Sequence, residues 1–193
     1  VEKNDSDASG MLTIKDDNDV KGSLVATGGN QAAGIGSGEG EDTSRITISG
    51  GTITAEGGFM SAGIGGGKNG SAEDITISGS NTKVDASGKG NGAGIGGGQL
   101  GDGKDITIKD GADVTAKAKL DDPEDSYSGG GAGIGGGSEG DGLNIRIDGS
   151  TVKAEGSSGG SGIGGGVYGI GEVTITGGSD VEGTATSEGG AGI

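Results

Sequence analysis

Acidic side chains are the residues of this sequence whose type and spacing could do chemistry. The chain carries 29 Asp and Glu residues against 13 Lys and Arg residues. Many acids stand either directly before or four residues before short runs such as Ile-Thr-Ile. Because Ca²⁺ takes about six to eight oxygen ligands, these turn acids are candidate calcium ligands, with a solvated acidic turn as the alternative. The candidates are Asp42, Asp74, Asp102, Asp105, Asp141 and Glu172.

A second candidate region is the acidic segment LDDPEDSYS at residues 120–128, which contains the only proline. It interrupts an otherwise regular pattern, and insertions of this kind lie at one edge of a repeat structure. Phe59 and Met60 occupy the corresponding turn two repeats earlier. We predict that a ligand, if one binds, contacts this edge; a solvated loop is the alternative. The edge comprises Phe59, Met60, Asp121, Asp122, Glu124, Asp125 and Tyr127.

Several classes of function are disfavoured by composition. The absence of Cys and His removes the usual ligands of zinc and haem and the usual base of hydrolases. The two arginines, Arg45 and Arg146, occupy different repeat positions, so no base recurs beside the acids. A net charge of −16 disfavours nucleic acid as a partner. No apolar run is long enough for a membrane span, and we expect no enzymatic activity.

The elements that must position these residues form an internal repeat. The isoleucine of a recurrent Gly-Ile-Gly lies at Ile35, Ile64, Ile95, Ile134, Ile163 and Ile193, in steps of 29, 31, 39, 29 and 30. Each of the first five copies is followed by a triplet such as Ile46-Thr47-Ile48 and then by an apolar pair such as Ile53 and Ala55. All three segments alternate with period 2, which is typical of strands.

This repeat predicts an all-β, single-stranded parallel β-helix with three short strands per coil of about 30 residues. Five to six coils would extend over residues 12–193, with residues 1–11 as an N-terminal tail or cap and residues 120–128 as a loop insertion. Stacking of coils supplies the core that one repeat lacks. The chirality preference of parallel crossovers predicts a right-handed coil.

Glycines flank the isoleucine in every copy of Ala-Gly-Ile-Gly. If Ala and Ile point inward, alternation places these glycines outward, so that one face of the rod carries no side chains. Either tight bends require glycine there, or the bare face admits close approach by a second copy, a neighbouring domain or a polysaccharide. The glycines are Gly34, Gly36, Gly63, Gly65, Gly94, Gly96, Gly133, Gly135, Gly162 and Gly164.

The combination AGIGGG and DITISG resembles the glycine-rich repeats of large cell-surface or secreted proteins of anaerobic Gram-positive bacteria. The resemblance implies extracellular display, a β-helical stalk or adhesin role, and a longer array from which this chain is an excised piece. Its partners would be a host or matrix protein or a polysaccharide at the cell surface. A more distant resemblance is to calcium-dependent β-helical proteins that bind acidic plant polysaccharides.

Three functions therefore remain open. A non-catalytic stalk or adhesin segment is the first, and a calcium-assisted polysaccharide-binding module, with Ca²⁺ as its cofactor, is the second. Ice binding is the third and the weakest. A threonine column on the triplets suits it, but Arg146 interrupts that column, and high β-propensity on a solvent face explains the threonines without a ligand.

Overall fold

The chain winds into a parallel β-solenoid with three strands per coil and no helix among the described residues. The computed structural model describes residues 11–17, 21–120, 130–186 and 189–193. Every strand pairs with its counterpart in the neighbouring coil, so each sheet runs along the solenoid axis. The predicted β-helix with three strands per coil is therefore confirmed.

Two six-stranded sheets and one five-stranded sheet form the walls. The first sheet holds β1 (Leu12–Lys15), β4 (Thr43–Ser49), β7 (Ala72–Ser78), β10 (Gly103–Lys109), β13 (Gly142–Asp148) and β16 (Gly171–Thr176). The second sheet holds β2 (Ser23–Thr27), β5 (Gly51–Glu56), β8 (Thr82–Lys89), β11 (Asp113–Lys119), β14 (Thr151–Gly156) and β17 (Asp180–Ala185). The third sheet holds β3 (Ile35–Gly36), β6 (Ile64–Gly65), β9 (Ile95–Gly96), β12 (Ile134–Gly135) and β15 (Ile163–Gly164). Coils 1 to 5 are the successive sets of three strands, and coil 6 begins with β16 and β17.

Like residues stack on like residues because the register repeats. Ile46 pairs with Ile75, and Thr47 pairs with Thr76, between β4 and β7. Both isoleucines are fully buried, and the outward threonine is only half-buried. The central coils thus fill the core with columns of isoleucine, valine and alanine, as predicted. Such β-branched stacks suit a narrow pleated interior.

The residue directly before the triplet has a positive φ in coils 2 to 5 and breaks the regular strand geometry there. Arg45, Asp74, Asp105 and Asn144 have φ values of +56°, +55°, +52° and +52°. Asn and Asp adopt this left-handed conformation more readily than other non-glycine residues. Local backbone geometry therefore favours Asp and Asn at this position, independently of any ligand.

The predicted insertion falls between β11 and β12, after the second strand of coil 4. Of its residues only Leu120 is described, and residues 121–128 lie outside the described ranges, as do residues 1–10 of the predicted tail or cap. In the described part of the chain, no helix is long and apolar enough to cross a membrane.

Candidate functional site

The segment around each Gly-Ile-Gly, most often Ala-Gly-Ile-Gly-Gly, forms an inward arch in coils 1 to 5. In residues 62–66, the Ala62 N–H donates to the carbonyl of Gly66 at 3.0 Å. The same bond closes residues 93–97, from Ala93 to Gly97, at 2.9 Å. The isoleucine at the middle of each arch is fully buried in coils 1 to 5. The arch therefore inserts one isoleucine per coil into the core.

In the described coils, one turn precedes the arch and one turn follows it. The entry turn, residues 58–61 in coil 2, is closed by a bond from the Ser61 N–H to the Gly58 carbonyl at 3.1 Å. The exit turn, residues 98–101 in coil 3, reaches the entry turn of coil 2, because the Gln99 N–H donates to the Met60 carbonyl at 2.9 Å. The same contact links coil 2 to coil 1 and coil 4 to coil 3.

This arrangement corrects the predicted bare glycine face. All ten of these glycines are buried. A Cβ on Gly96, which has a φ of +133°, would lie 1.9 Å from the Gly135 carbonyl oxygen of the next coil. The same crowding recurs at Gly36, Gly65 and Gly135. These ten glycines therefore do not form an exposed bare face. The second glycine of each arch has a positive φ, as the tight-bend alternative predicts, and the first glycine does not.

The acids four residues before the triplets bond to the backbone of the next coil. Asp42 Oδ1 accepts the Ser71 N–H at 2.7 Å, and Ser71 Oγ accepts the Asp102 N–H at 3.1 Å. Asp102 Oδ1 accepts the Asp141 N–H at 2.9 Å, and Asp141 Oδ1 accepts the Ile170 N–H at 2.9 Å. We call Asp42, Ser71, Asp102 and Asp141 the Asp/Ser ladder. One side-chain oxygen of each member already accepts a backbone hydrogen bond, which gives these acids a structural role that does not require a metal.

The pKa of Asp102 is lowered from its usual value. Its partial burial raises the pKa, but the hydrogen bond from the Asp141 N–H and the Lys104 ammonium outweigh this and hold the pKa below its usual value. Lys104 Nζ lies 2.9 Å from Asp102 Oδ2. This contact in turn raises the pKa of Lys104. The ion pair thus favours the charged carboxylate that accepts the bond between coils.

The acids directly before the triplets lie in a separate column. Asp74, Asp105 and Glu172 are exposed, and the Asn144 amide donates to the Asp105 carboxylate. Asn144 therefore offers Asp105 a hydrogen-bond donor. A carboxylate at position 144 would instead repel the Asp105 carboxylate. Within residues 11–17, 21–120, 130–186 and 189–193, no three His, Cys, Asp or Glu residues are grouped so as to hold a metal ion. Calcium binding remains an untested prediction.

Two turns at the predicted ligand edge expose apolar side chains. Phe59 is 39% exposed at the tip of its entry turn, and the adjoining Met60 is half-buried. Leu100, 53% exposed, lies on the exit turn whose Gln99 bonds to Met60. The strand pattern did not identify Leu100, because the contact between the two turns depends on the arch. The remaining predicted edge residues, Asp121, Asp122, Glu124, Asp125 and Tyr127, lie outside the described residues.

The stacked parallel sheets and the hydrogen bonds between coils define a β-helical repeat protein. A family model described as a beta helix repeat matches residues 21–39, 46–68, 75–99 and 145–167. Three of these segments begin at the first isoleucine of a triplet and end one residue beyond the start of an exit turn. They therefore cover the triplet, the apolar pair and the arch of one coil. No curated protein and no solved structure matches the chain.

Proposed function

We propose that the chain is a non-catalytic structural and adhesive repeat segment, a stalk or adhesin of a bacterial surface protein displayed outside the cell. The observation that supports this proposal is the use of the acids. In the Asp/Ser ladder one side-chain oxygen of each member accepts a hydrogen bond from the backbone of the next coil. Catalytic sites gather unlike residues at one place, whereas these contacts distribute the same role over successive coils.

The contacts on the second sheet support a stalk in the same way. Ion pairs join neighbouring coils from Lys83 to Asp113 at 3.3 Å and from Lys117 to Glu155 at 3.2 Å. Exposed pairs of this kind add little stability, about 0 to 1 kcal/mol each. These ion pairs make the outer surface polar, and the stacked core supplies the stability. Length then depends on the number of coils.

Coil deletion tests the stalk. Removing residues 64–94 takes out one whole repeat and joins Gly63 directly to the next arch isoleucine. Adjacent strands lie about 4.8 Å apart, so the distance between spin labels on coils 1 and 6 should fall by about 5 Å. Val25→Cys and Glu182→Cys give label sites at matching register positions of the second sheet, and the chain has no other cysteine. A deletion variant that unfolds would contradict the proposal that each coil is an interchangeable unit of a stalk.

The turn tips support an adhesive surface. Phe59 and Leu100 expose apolar area on turns that touch each other, and Tyr168 is 92% exposed on the exit turn of coil 5. Aromatic and aliphatic side chains that are already held by a rigid frame contact a partner with little loss of entropy. A protein surface of the host or matrix suits this apolar pair better than a polysaccharide, since the chain has no Trp and few aromatics.

Adhesion is measured with beads that carry the chain, applied to arrays of matrix proteins and polysaccharides. We expect retention on matrix proteins that falls at least tenfold in the double variant Phe59→Ser and Leu100→Ser. Val25→Ser is the matched control, because Val25 is exposed on the second sheet away from the turns. Calcium-dependent retention on one class of polysaccharide would favour the binding-module alternative. New reducing ends released from a polysaccharide would overturn the non-catalytic assignment.

A further inference from the structure

Lysines and acids form ion pairs along three columns on the outer face of the second sheet. In each pair the two residues are register partners on neighbouring strands, about 4.8 Å apart. The pairs are Lys83 with Asp113 at 3.3 Å, Lys117 with Glu155 at 3.2 Å and Lys153 with Glu182 at 3.1 Å. One step between coils is therefore the distance at which a lysine and an acid of this face meet.

The column that contains Lys117 is interrupted on the side that faces coil 2. Ser87 is the register partner of Lys117, and Glu56 is the register partner of Ser87. The short Ser87 side chain is only 7% exposed between these two longer side chains. Glu56 and Lys117 are thus separated by two steps, and they do not form the ion pair that one step would allow.

A pocket of about 260 Å³ lies at this interruption. Its lining includes Glu56 from coil 2, Asp85 and Ser87 from coil 3, and Lys117 and Lys119 from coil 4. Across the part of the chain that the structure describes, Glu56, Asp85 and Lys119 form no ion pair. The pocket therefore holds carboxylates and an ammonium that do not meet each other.

We propose that this pocket binds a dipeptide with free termini. The ligand ammonium contacts the Glu56 carboxylate, with Asp85 beside it, and the ligand carboxylate contacts the Lys119 ammonium. A cation or an anion alone would leave one of these two sides without a partner. Phe59 and Leu100 are not among the lining residues, so the site does not rest on the proposed adhesive function.

The spacing of the charges selects the length of the ligand. Glu56 and Lys119 differ by two coil steps of about 4.8 Å and by two residues along the strand, which places their Cα atoms about 12 Å apart. Because side chains stand roughly perpendicular to a sheet, a contact of about 2.8 Å at each charged end leaves roughly 6 Å for the ligand. A free amino acid is too short, whereas two residues span up to about 7 Å. The Ser87 hydroxyl lines the pocket between the two ends and can bond the peptide group.

Titration of the 193-residue chain with glycylglycine, followed by amide NMR, tests the proposal. We expect saturable shifts that include the amides of Ser87 and Lys117. Three related probes test the termini and the length: N-acetyl-glycylglycine lacks the ammonium, glycylglycinamide lacks the carboxylate, and glycine is one residue shorter. Each should bind at least about threefold more weakly, the factor expected for the loss of one exposed ion pair.

Variants in the pocket test the residues. Glu56→Gln and Lys119→Met each remove one contact and should weaken glycylglycine binding by at least about threefold. Ser87→Lys should weaken it by at least about tenfold, because a lysine at that position is one step from Glu56 and can pair with it, as the other register pairs of this face do. Lys153→Met and Glu182→Gln are matched controls, because they alter charges of the same face outside the pocket lining, and both should bind as the unmodified chain does.

Circular dichroism checks that each variant is folded, and Ser87→Gln, which also fills the interruption, replaces Ser87→Lys if that variant unfolds. The absence of saturable shifts up to about 50 mM glycylglycine overturns the proposal. Equal binding of glycine or of either blocked dipeptide overturns it as well. So does a loss of binding in Lys153→Met as large as that in Lys119→Met, since attraction to any lysine of the face would then explain the shifts.

Discussion

Alanine substitutions at three glycines separate backbone strain from packing in the arch. Gly96 has a φ of +133° and would place a Cβ 1.9 Å from the Gly135 carbonyl oxygen. Gly40 has a φ of +72° with open space around its Cβ position, and Gly29 has open space without a positive φ. Gly29→Ala therefore changes neither feature, Gly40→Ala adds strain alone, and Gly96→Ala adds strain and a collision with backbone.

The expected changes in the free energy of unfolding follow from these differences. At a compatible site, Gly→Ala stabilises by about 0.4 to 1 kcal/mol because it restricts the unfolded chain. A left-handed conformation costs an alanine about 1 to 2 kcal/mol, so Gly40→Ala should lose up to roughly 1.5 kcal/mol. Gly96→Ala adds a collision that the neighbouring coil relieves only by moving, and we expect a loss of at least about 3 kcal/mol.

Urea unfolding followed by circular dichroism measures all three variants. The order of stability should be Gly29→Ala, then Gly40→Ala, then Gly96→Ala. If Gly96→Ala were as stable as Gly29→Ala, position 96 would have room for a side chain. That result would refute the closed arch and restore the exposed glycine face.

Three further predictions concern the acids and the strained residue before the triplet. Asp102→Ala should lower the free energy of unfolding by about 1 kcal/mol at neutral pH, because the Asp141 N–H loses its acceptor. The pKa of Asp102 in the folded chain is below its usual value. The stability that Asp102 contributes is therefore present above about pH 4 and is lost as the pH falls through the folded pKa. Acid unfolding curves of the unmodified chain and of Asp102→Ala should converge at low pH. Arg45→Asn should stabilise by about 1 kcal/mol in urea, since Arg45 has a φ of +56° and Asn tolerates that conformation, and an unchanged midpoint would argue against strain there. Millimolar CaCl₂ should raise the melting temperature no more than MgCl₂ does after EDTA treatment, and a calcium-specific rise would identify a metal site that the hydrogen bonds of the Asp/Ser ladder do not explain.

The strands could be predicted from sequence because their signal is local and repeats. Alternation in Ile46-Thr47-Ile48 fixes which side chains point inward, and the return of the pattern after about 30 residues fixes the stacking partner. The glycine arch could not be predicted by the same rule. Alternation assumes an extended strand, whereas a positive φ at Gly65 and a bond from Ala62 to Gly66 fold the segment inward.

Only part of the role of the turn acids can be predicted from the sequence. Their column was visible in the sequence, but the choice between a cation and a backbone donor depends on where the next coil places its N–H groups. Ser71 shows why the pattern misled. It occupies the same column as Asp42 and Asp102 and makes the same bond with a neutral hydroxyl, so the column selects a short side chain with an oxygen, and its charge is secondary.

A chain with 27% hydrophobic residues and a net charge of −16 would ordinarily remain disordered. The arch lets it fold, because each coil needs only a few fully buried isoleucines when its cross-section is small. Glycine makes this narrow section possible by letting the backbones of successive arches stack in contact, as at Gly96 and Gly135. Hydrogen bonds between the backbones of neighbouring coils then satisfy the N–H and carbonyl groups of these closely stacked segments. The high glycine content is thus a packing requirement of the fold, while apolar side chains such as Phe59 and Leu100 are exposed on the turns next to the arches.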